Sequence, residues 1–113
     1  MYSDGDRTVR TVGEPTAGGA YAEYEVISED EYGERELGTI KFQNDTIPNV
    51  GVVGWTNEAL LAIVADRLNS FQQSDFACDE NQEAFDATQK ALGALERRTA
   101  ERKSRGVEGT HKV

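Results

Sequence analysis

Polar and apolar positions change their period twice along this chain of 113 residues. From Met1 to Gly19 apolar residues are sparse, and Gly5, Gly13, Pro15, Gly18 and Gly19 interrupt the pattern, which predicts a mobile N-terminal tail. Tyr21, Tyr24, Val26 and Ile27 form a short β-prone segment closed by an acidic turn at Ser28–Gly33. Leu37–Gln43 alternates at Ile40, Lys41 and Phe42, as a half-buried strand does. Asn44–Asn49 is dense in turn formers and leads to Val50–Val53, a third strand or extended piece. Together these predict a small antiparallel sheet, too small to be stable alone.

The period then becomes helical. Thr56 suits an N-cap, and Glu58 stands in the first turn, where a negative charge meets the helix dipole. Leu61, Val64, Leu68 and Phe71 follow a 3-4-3 spacing that Leu60 and Ile63 widen, predicting a helix that stops near Gln72. Asp79 is placed to cap a second helix, with Gln82 completing a capping-box pattern. Asn81, Phe85, Thr88, Leu92, Leu95, Thr99 and Arg102 then alternate steps of 4 and 3, a heptad-like seam. Gly93 inside it admits a close backbone approach, and Gly106 suits the position just past the helix. The lengths are about 16 residues (~24 Å) and about 26 residues (~39 Å), so an antiparallel hairpin leaves part of the longer helix uncovered. That uncovered seam argues for self-association. The expected fold is α+β: a small N-terminal antiparallel sheet followed by a two-helix antiparallel hairpin, oligomeric. Within one domain, 1–19 is the tail, 20–54 the sheet, 55–106 the hairpin and 107–113 a C-terminal tail, the segment Gly106–Thr110 running across the last boundary.

Composition narrows the function. Ala59–Ala65, the longest apolar run, is far short of the ~18–20 residues of a membrane span. Met1–Arg10 has no apolar block of the kind a signal peptide needs. Cys78 stands alone, which excludes an internal disulfide and fits a reducing compartment. One Cys and one His cannot build a zinc cage, and no Ser/His/Asp arrangement suggests itself. The expectation is a soluble cytoplasmic protein that is not an enzyme, with no catalytic residues, no metal and no cofactor. The net charge of −9 is unevenly spread: residues 1–58 carry −8, residues 59–96 carry −5, and residues 97–113 carry +4. A basic patch on an acidic protein suits a compact phosphate ligand better than a DNA or RNA polymer. The plainer alternative is that Lys and Arg gather at a helix C-terminus to offset its dipole.

Two groups of residues are candidates for chemistry. Phe71 and Asn81 flank the loop of the hairpin, and an aromatic face beside an amide is one way to hold a purine; alternatively Phe71 completes the core and Asn81 satisfies nearby backbone. In the run Arg97–Thr110, arginines can grip phosphates, glycines let backbone N–H groups come close and Thr110 adds a hydroxyl. The alternative there is a capped helix followed by a solvated tail. Asn81 and Arg98 are about 25 Å apart along one helix, so one small ligand cannot touch both in one chain. Two second helices packed antiparallel would bring a partner's basic end beside Phe71 and Asn81, placing a pocket at a subunit interface.

Beyond this reading, Thr39–Asn44, Thr56–Leu68, Phe76-x-Cys78-x-Glu80-Asn81 and Arg98–Thr110 together resemble the phage anti-Thoeris sponge proteins, which share a helical hairpin with the anti-CBASS sponges. The resemblance covers about residues 37–113. It implies a non-catalytic protein in the cytoplasm of an infected bacterium that sequesters a cyclic ADP-ribose isomer, glycocyclic ADP-ribose, or a cyclic di- or trinucleotide. It further implies self-assembly as a dimer, or a hexamer built as a trimer of dimers. Carried over, Phe71 stacks on adenine, Asn81 hydrogen-bonds the nucleotide and Arg98 meets pyrophosphate, with Arg102 beside it. Arg105, Gly106, Gly109 and Thr110 form a second pocket for cyclic oligonucleotides. Trp55 and Arg67 are weaker candidates. Two other classes stay open: an enzyme that degrades the signal, and a protein-interaction module using the helical seam.

Overall fold

The two-residue loop Glu31-Tyr32 sets the register of the first half of the chain. Asp30 Oδ1 accepts the Tyr32 N–H at 2.8 Å, and the strands on either side pair from Asp30 and Gly33 outward. The structure, a computed structural model, describes residues 1–43, 51–52 and 54–112. In them a four-stranded antiparallel sheet in the order β1-β2-β3-β4 precedes two helices, an α+β fold. The chain divides into two compact units, Met1–Trp55 and Thr56–Val113.

In the first unit, β1 (Tyr2–Ser3) and β2 (Thr8–Val12) come from the stretch expected to be a mobile tail. The low apolar content was misleading, because Thr8, Val9, Thr11 and Val12 are β-branched and suit a pleated strand. The turn before them is built by Asp4, whose Oδ1 accepts the N–H groups of Asp6 (2.9 Å) and Arg7 (2.7 Å). These bonds favour the carboxylate form and hold the Asp4 pKa below its ordinary 3.8. β3 (Glu23–Asp30) and β4 (Gly33–Lys41) run further into the acidic stretch than the predicted turn allowed. A bulge lies between Val26 and Ile27, with Val26 opposite Gly38 and Ile27 opposite Glu36, so Leu37 is the extra residue. Arg10 straps three strands: its Nε donates to Glu25, and its two Nη groups donate bidentately to Glu34 at 3.0 Å each. Both carboxylates hold that guanidinium above its ordinary pKa.

Ile27 is the buried apolar residue of this unit among the described residues, and Tyr24 meets Phe42 edge-on at 5.8 Å. Beyond β4, Trp55 returns beside the sheet: its N–H donates to Lys41 O (2.9 Å), and its carbonyl accepts the Gln43 N–H (3.2 Å). A Cβ at Gly54 would lie 2.4 Å from the Phe42 carbonyl carbon, so only glycine permits this approach. The turn expected at Asn44–Asn49 lies outside the described residues, as do Val50 and Val53 of the expected third strand; Gly51 and Val52 belong to no strand.

The second unit is the helical hairpin. α1 (Asn57–Gln72) is capped by Thr56, whose Oγ1 accepts the Ala59 N–H at 3.1 Å. α2 (Asp79–Ser104) has the expected 26 residues, but its N-cap is Cys78 and not Asp79. Gln72 replaces the predicted capping box: its Oε1 accepts the Cys78 N–H (3.0 Å), and its Nε2 donates to Cys78 O (3.1 Å) and Gln82 Oε1 (3.3 Å). At the other end, Thr99 Oγ1 donates to Glu58 Oε2 at 3.0 Å, fixing the antiparallel register.

The α2 seam is as predicted. Asn81, Phe85, Thr88, Leu92, Leu95 and Thr99 are half-buried, and Arg102 is buried. The α1 stripe is so only in part. Its covered positions are Glu58, Ala59, Leu60, Leu61, Ala65, Leu68 and Gln72, so Leu60, Leu61 and Leu68 lie where expected, whereas Ile63, Val64 and Phe71 are 44%, 45% and 37% exposed. Leu61 and Leu68 mark the covered side, and the buried Ala65 and half-buried Glu58 and Gln72 complete it without carrying a hydrophobic signal. Burying Ala65 lets the helices approach closely, whereas the larger Ile63 and Val64 lie on the other face.

Candidate functional site

The six residues between the helices, Gln73–Cys78, form a loop whose backbone is held at nearly every step. Ser74 Oγ donates to Phe71 O (2.6 Å) and accepts the Phe76 N–H (3.1 Å). The Ser74 N–H also reaches Phe71 O, and the Ala77 N–H reaches Ser74 O (3.2 Å). Gln72 fastens the far end through Cys78. This loop brings Phe71, Phe76 and Asn81 around an open cavity of about 400 Å³. Phe71 and Asn81, expected together from the hairpin alone, are therefore together.

Asn81 Nδ2 donates to Phe76 O at 3.4 Å, so the amide partly serves backbone, as the plainer alternative held. Its Oδ1 accepts nothing among the described residues and remains available to a donor. Arg67, a weaker candidate, forms no ion pair with Asp66 there; its guanidinium lies over the Phe71 ring, 5.5 Å from the centroid. Phe76 has no expected role of its own, although an aromatic set in a loop of small and polar residues is a usable signal. A second groove of about 330 Å³ runs along the hairpin between Ala62, Ala65, Phe85 and Leu92, rimmed by Asp66, Asn69 and Gln89.

The basic end of α2 is arranged differently. Arg102, expected beside the nucleotide, instead points into its own chain. Nε donates to Glu108 Oε2 (3.0 Å), Nη2 to the carbonyls of Val107 (3.0 Å) and Thr110 (3.1 Å), and Nη1 to Lys112 O. Its side chain is 8% exposed. Around it the chain turns twice. The Gly106 N–H donates to Lys103 O and the Val107 N–H to Arg102 O, both at 3.0 Å, a Schellman ending in which Gly106 takes φ +73°. The Thr110 N–H then donates to Val107 O (3.1 Å) across a turn whose third residue, Gly109, has φ +78°, as a type II turn requires. Thr110 Oγ1 donates to Val107 O and accepts the Lys112 N–H. Gly106, Gly109 and Thr110 thus form a closed clasp and not a solvated tail, and the clasp covers the last turn of the α2 seam. Arg105 lies outside it and pairs with Glu101. The N–H groups of Glu108 and Gly109 have no acceptor among the described residues.

Arg98 is exposed and has no ion pair or hydrogen bond among the described residues. It stays about 25 Å of helix rise from Asn81. Arg97 lies across Gly93, its Nη1 3.5 Å from where a Cβ would stand, so a side chain fills the space expected to admit a second backbone. Trp55 is 46% exposed in the other unit. Among the described residues no cluster of His, Cys, Asp or Glu is suited to a metal, and no helix is long and apolar enough to cross a membrane.

A family model described as Acb2/Tad1, hairpin domain, matches residues 34–100, which take in β4, α1 and most of α2. Over 76 residues the chain is 47% identical to a protein of Bacillus phage SBSphiJ7 named Thoeris anti-defense 1. That match covers 67% of this chain and 54% of the phage protein, so the chain spans about half the length of the curated relative it matches.

Proposed function

The chain belongs to the Acb2/Tad1 hairpin family, and from that premise we propose that it is a phage immune-evasion protein that captures a cyclic nucleotide signal of the Thoeris system and holds it intact. The observation that carries this reading is the cavity where Phe71, Phe76 and the open Oδ1 of Asn81 converge on a hydrogen-bonded loop. Such a site offers a π face and an edge acceptor for an adenine ring, and a preformed loop keeps the ordering cost of binding low. The ligand favoured is glycocyclic ADP-ribose, with cyclic di- and trinucleotides as further candidates. A sponge works at low ligand concentration, which calls for nanomolar affinity, about −12 kcal/mol.

Stacking and one amide do not reach that value, so the pyrophosphate needs cations. Arg102 is spent on the clasp, whereas Arg98 is exposed without a partner among the described residues. Because Arg98 is a helix length from Asn81, the complete site needs a second protomer. The exposed apolar residues Ile63 and Val64 are consistent with self-assembly. A second pocket, for cyclic oligonucleotides, would use the N–H groups of Glu108 and Gly109 together with Arg105.

Titration calorimetry with glycocyclic ADP-ribose tests the reading. Wild type should bind in the nanomolar range, and N81A and R98A should each bind at least tenfold more weakly. Mixing those two variants should restore some wild-type-affinity sites, because a mixed dimer carries one intact pocket. Absence of binding by wild type, or indifference to both substitutions, contradicts the reading. A protein-interaction module working through the α2 seam is less well supported, since α1 and the clasp cover that seam.

A further inference from the structure

Phe76 is 76% exposed, yet it stands on a loop with little freedom to move. Its own N–H is held by Ser74 Oγ and its carbonyl by Asn81 Nδ2. The next residues are fastened through Ala77 to Ser74 and through Cys78 to Gln72. A large apolar side chain carried into water on a held backbone gains little in the free protein, and a loop that needed only to join two helices would not require one. Phe71 is only 37% exposed, the Arg67 guanidinium lies over its ring, and Arg67 does not line the cavity. A ligand in the cavity therefore meets Phe71 from the side away from Arg67, and Phe76 is the other aromatic wall.

We propose that Phe76 is a second stacking residue, closing on the planar base held by Phe71 so that a purine lies between two aromatic rings while Asn81 fixes both the base edge and the Phe76 carbonyl. The double role of Asn81 gives the clamp its geometry: the amide hydrogen that holds Phe76 and the oxygen that faces the ligand belong to one planar group. The clamp selects for flat, extended bases, since a ring with two stacking partners gains in proportion to its area. This rests on the nucleotide reading above, and the experiment separates the two.

Affinity for glycocyclic ADP-ribose is measured by calorimetry for wild type, F71A, F76A, F76W and F76L, with the mass of each assembly measured alongside. F76A should bind about 10–100-fold more weakly, the range of one lost base–aromatic stack. F76W should bind within a few-fold of wild type, and F76L should resemble F76A because it keeps bulk but not the π face. In wild type, the ring protons of both Phe71 and Phe76 should shift upfield in NMR spectra when ligand is added. If F71A weakens binding while F76A stays within twofold, or if F76A changes only the assembly mass, the clamp is overturned and the nucleotide site stands. If wild type does not bind the ligand, both readings fall.

Discussion

The two ends of the hairpin deal with their polar groups in opposite ways. At the loop end, neutral side chains satisfy the backbone: Gln72 and Ser74 take up the turn, and two phenylalanines are left facing outward. At the basic end a cation is turned inward, and Arg102 gathers three carbonyls and a carboxylate from the segment that follows the helix. A planar guanidinium with donors on every side suits the second task, since it can organise a turn that has no apolar core. The difference teaches that residue type is a poor guide to what a side chain faces. The arginine with the most hydrogen bonds is structural, whereas the exposed Phe76 is aimed at a cavity.

Replacing Arg102 separates the ends most sharply. R102M leaves three carbonyls and Glu108 without their donor, and should cost about 2–3 kcal/mol of local stability. Hydrogen exchange at Val107 and Thr110 should rise accordingly, while ligand affinity at the Phe71 cavity changes less than twofold. A large loss of affinity there would merge the two ends into one site. The reciprocal change is Q72L, which removes the fastening of the loop. It should cost about 1–2 kcal/mol and weaken ligand binding severalfold through loss of preorganisation, leaving amide protection at 107–110 unaltered. G109A places a Cβ at φ +78° and should destabilise the clasp by about 1 kcal/mol, seen as faster exchange at Thr110 alone. T99V, midway between the ends, removes the bond to Glu58 and should lower unfolding stability by about 1 kcal/mol without favouring either end.

The smallest effect lies outside the hairpin. Asp4 has a depressed pKa in the folded chain, so its contribution to the β1–β2 turn is present above 3.8 and is lost as pH falls through and below that value. Exchange at the Asp6 and Arg7 amides, measured against pH, should report the loss, and D4N should abolish the dependence.

Much of this was legible in the sequence, and the failures share a cause. The α2 seam, both helix lengths and the pairing of Phe71 with Asn81 follow from helical period, because leucines and phenylalanines carry that signal. The face of α1 is legible only in part: Leu60, Leu61 and Leu68 mark it, but Ala65 is buried, and Glu58 and Gln72 half-buried, by geometry where the partner helix comes close and not by hydrophobicity. The strands within 1–19 are hard to read because they rest on β-branched Thr and Val residues and the Asp4 turn, not on an apolar alternation. The role of Arg102 could not be read from spacing. It depends on where the chain returns after two glycine turns, and the same run of arginines and glycines is equally compatible with a phosphate cradle.

The central claim is capture without chemistry, and a capture-and-release assay tests it most directly. The protein is mixed with glycocyclic ADP-ribose and filtered, free ligand is quantified, and the retained fraction is heat-denatured and analysed by mass. The account predicts depletion of free ligand followed by near-complete recovery of the same molecule, with F71A retaining far less. Release of an altered nucleotide would make the protein an enzyme, and failure to deplete the ligand would remove glycocyclic ADP-ribose as its target.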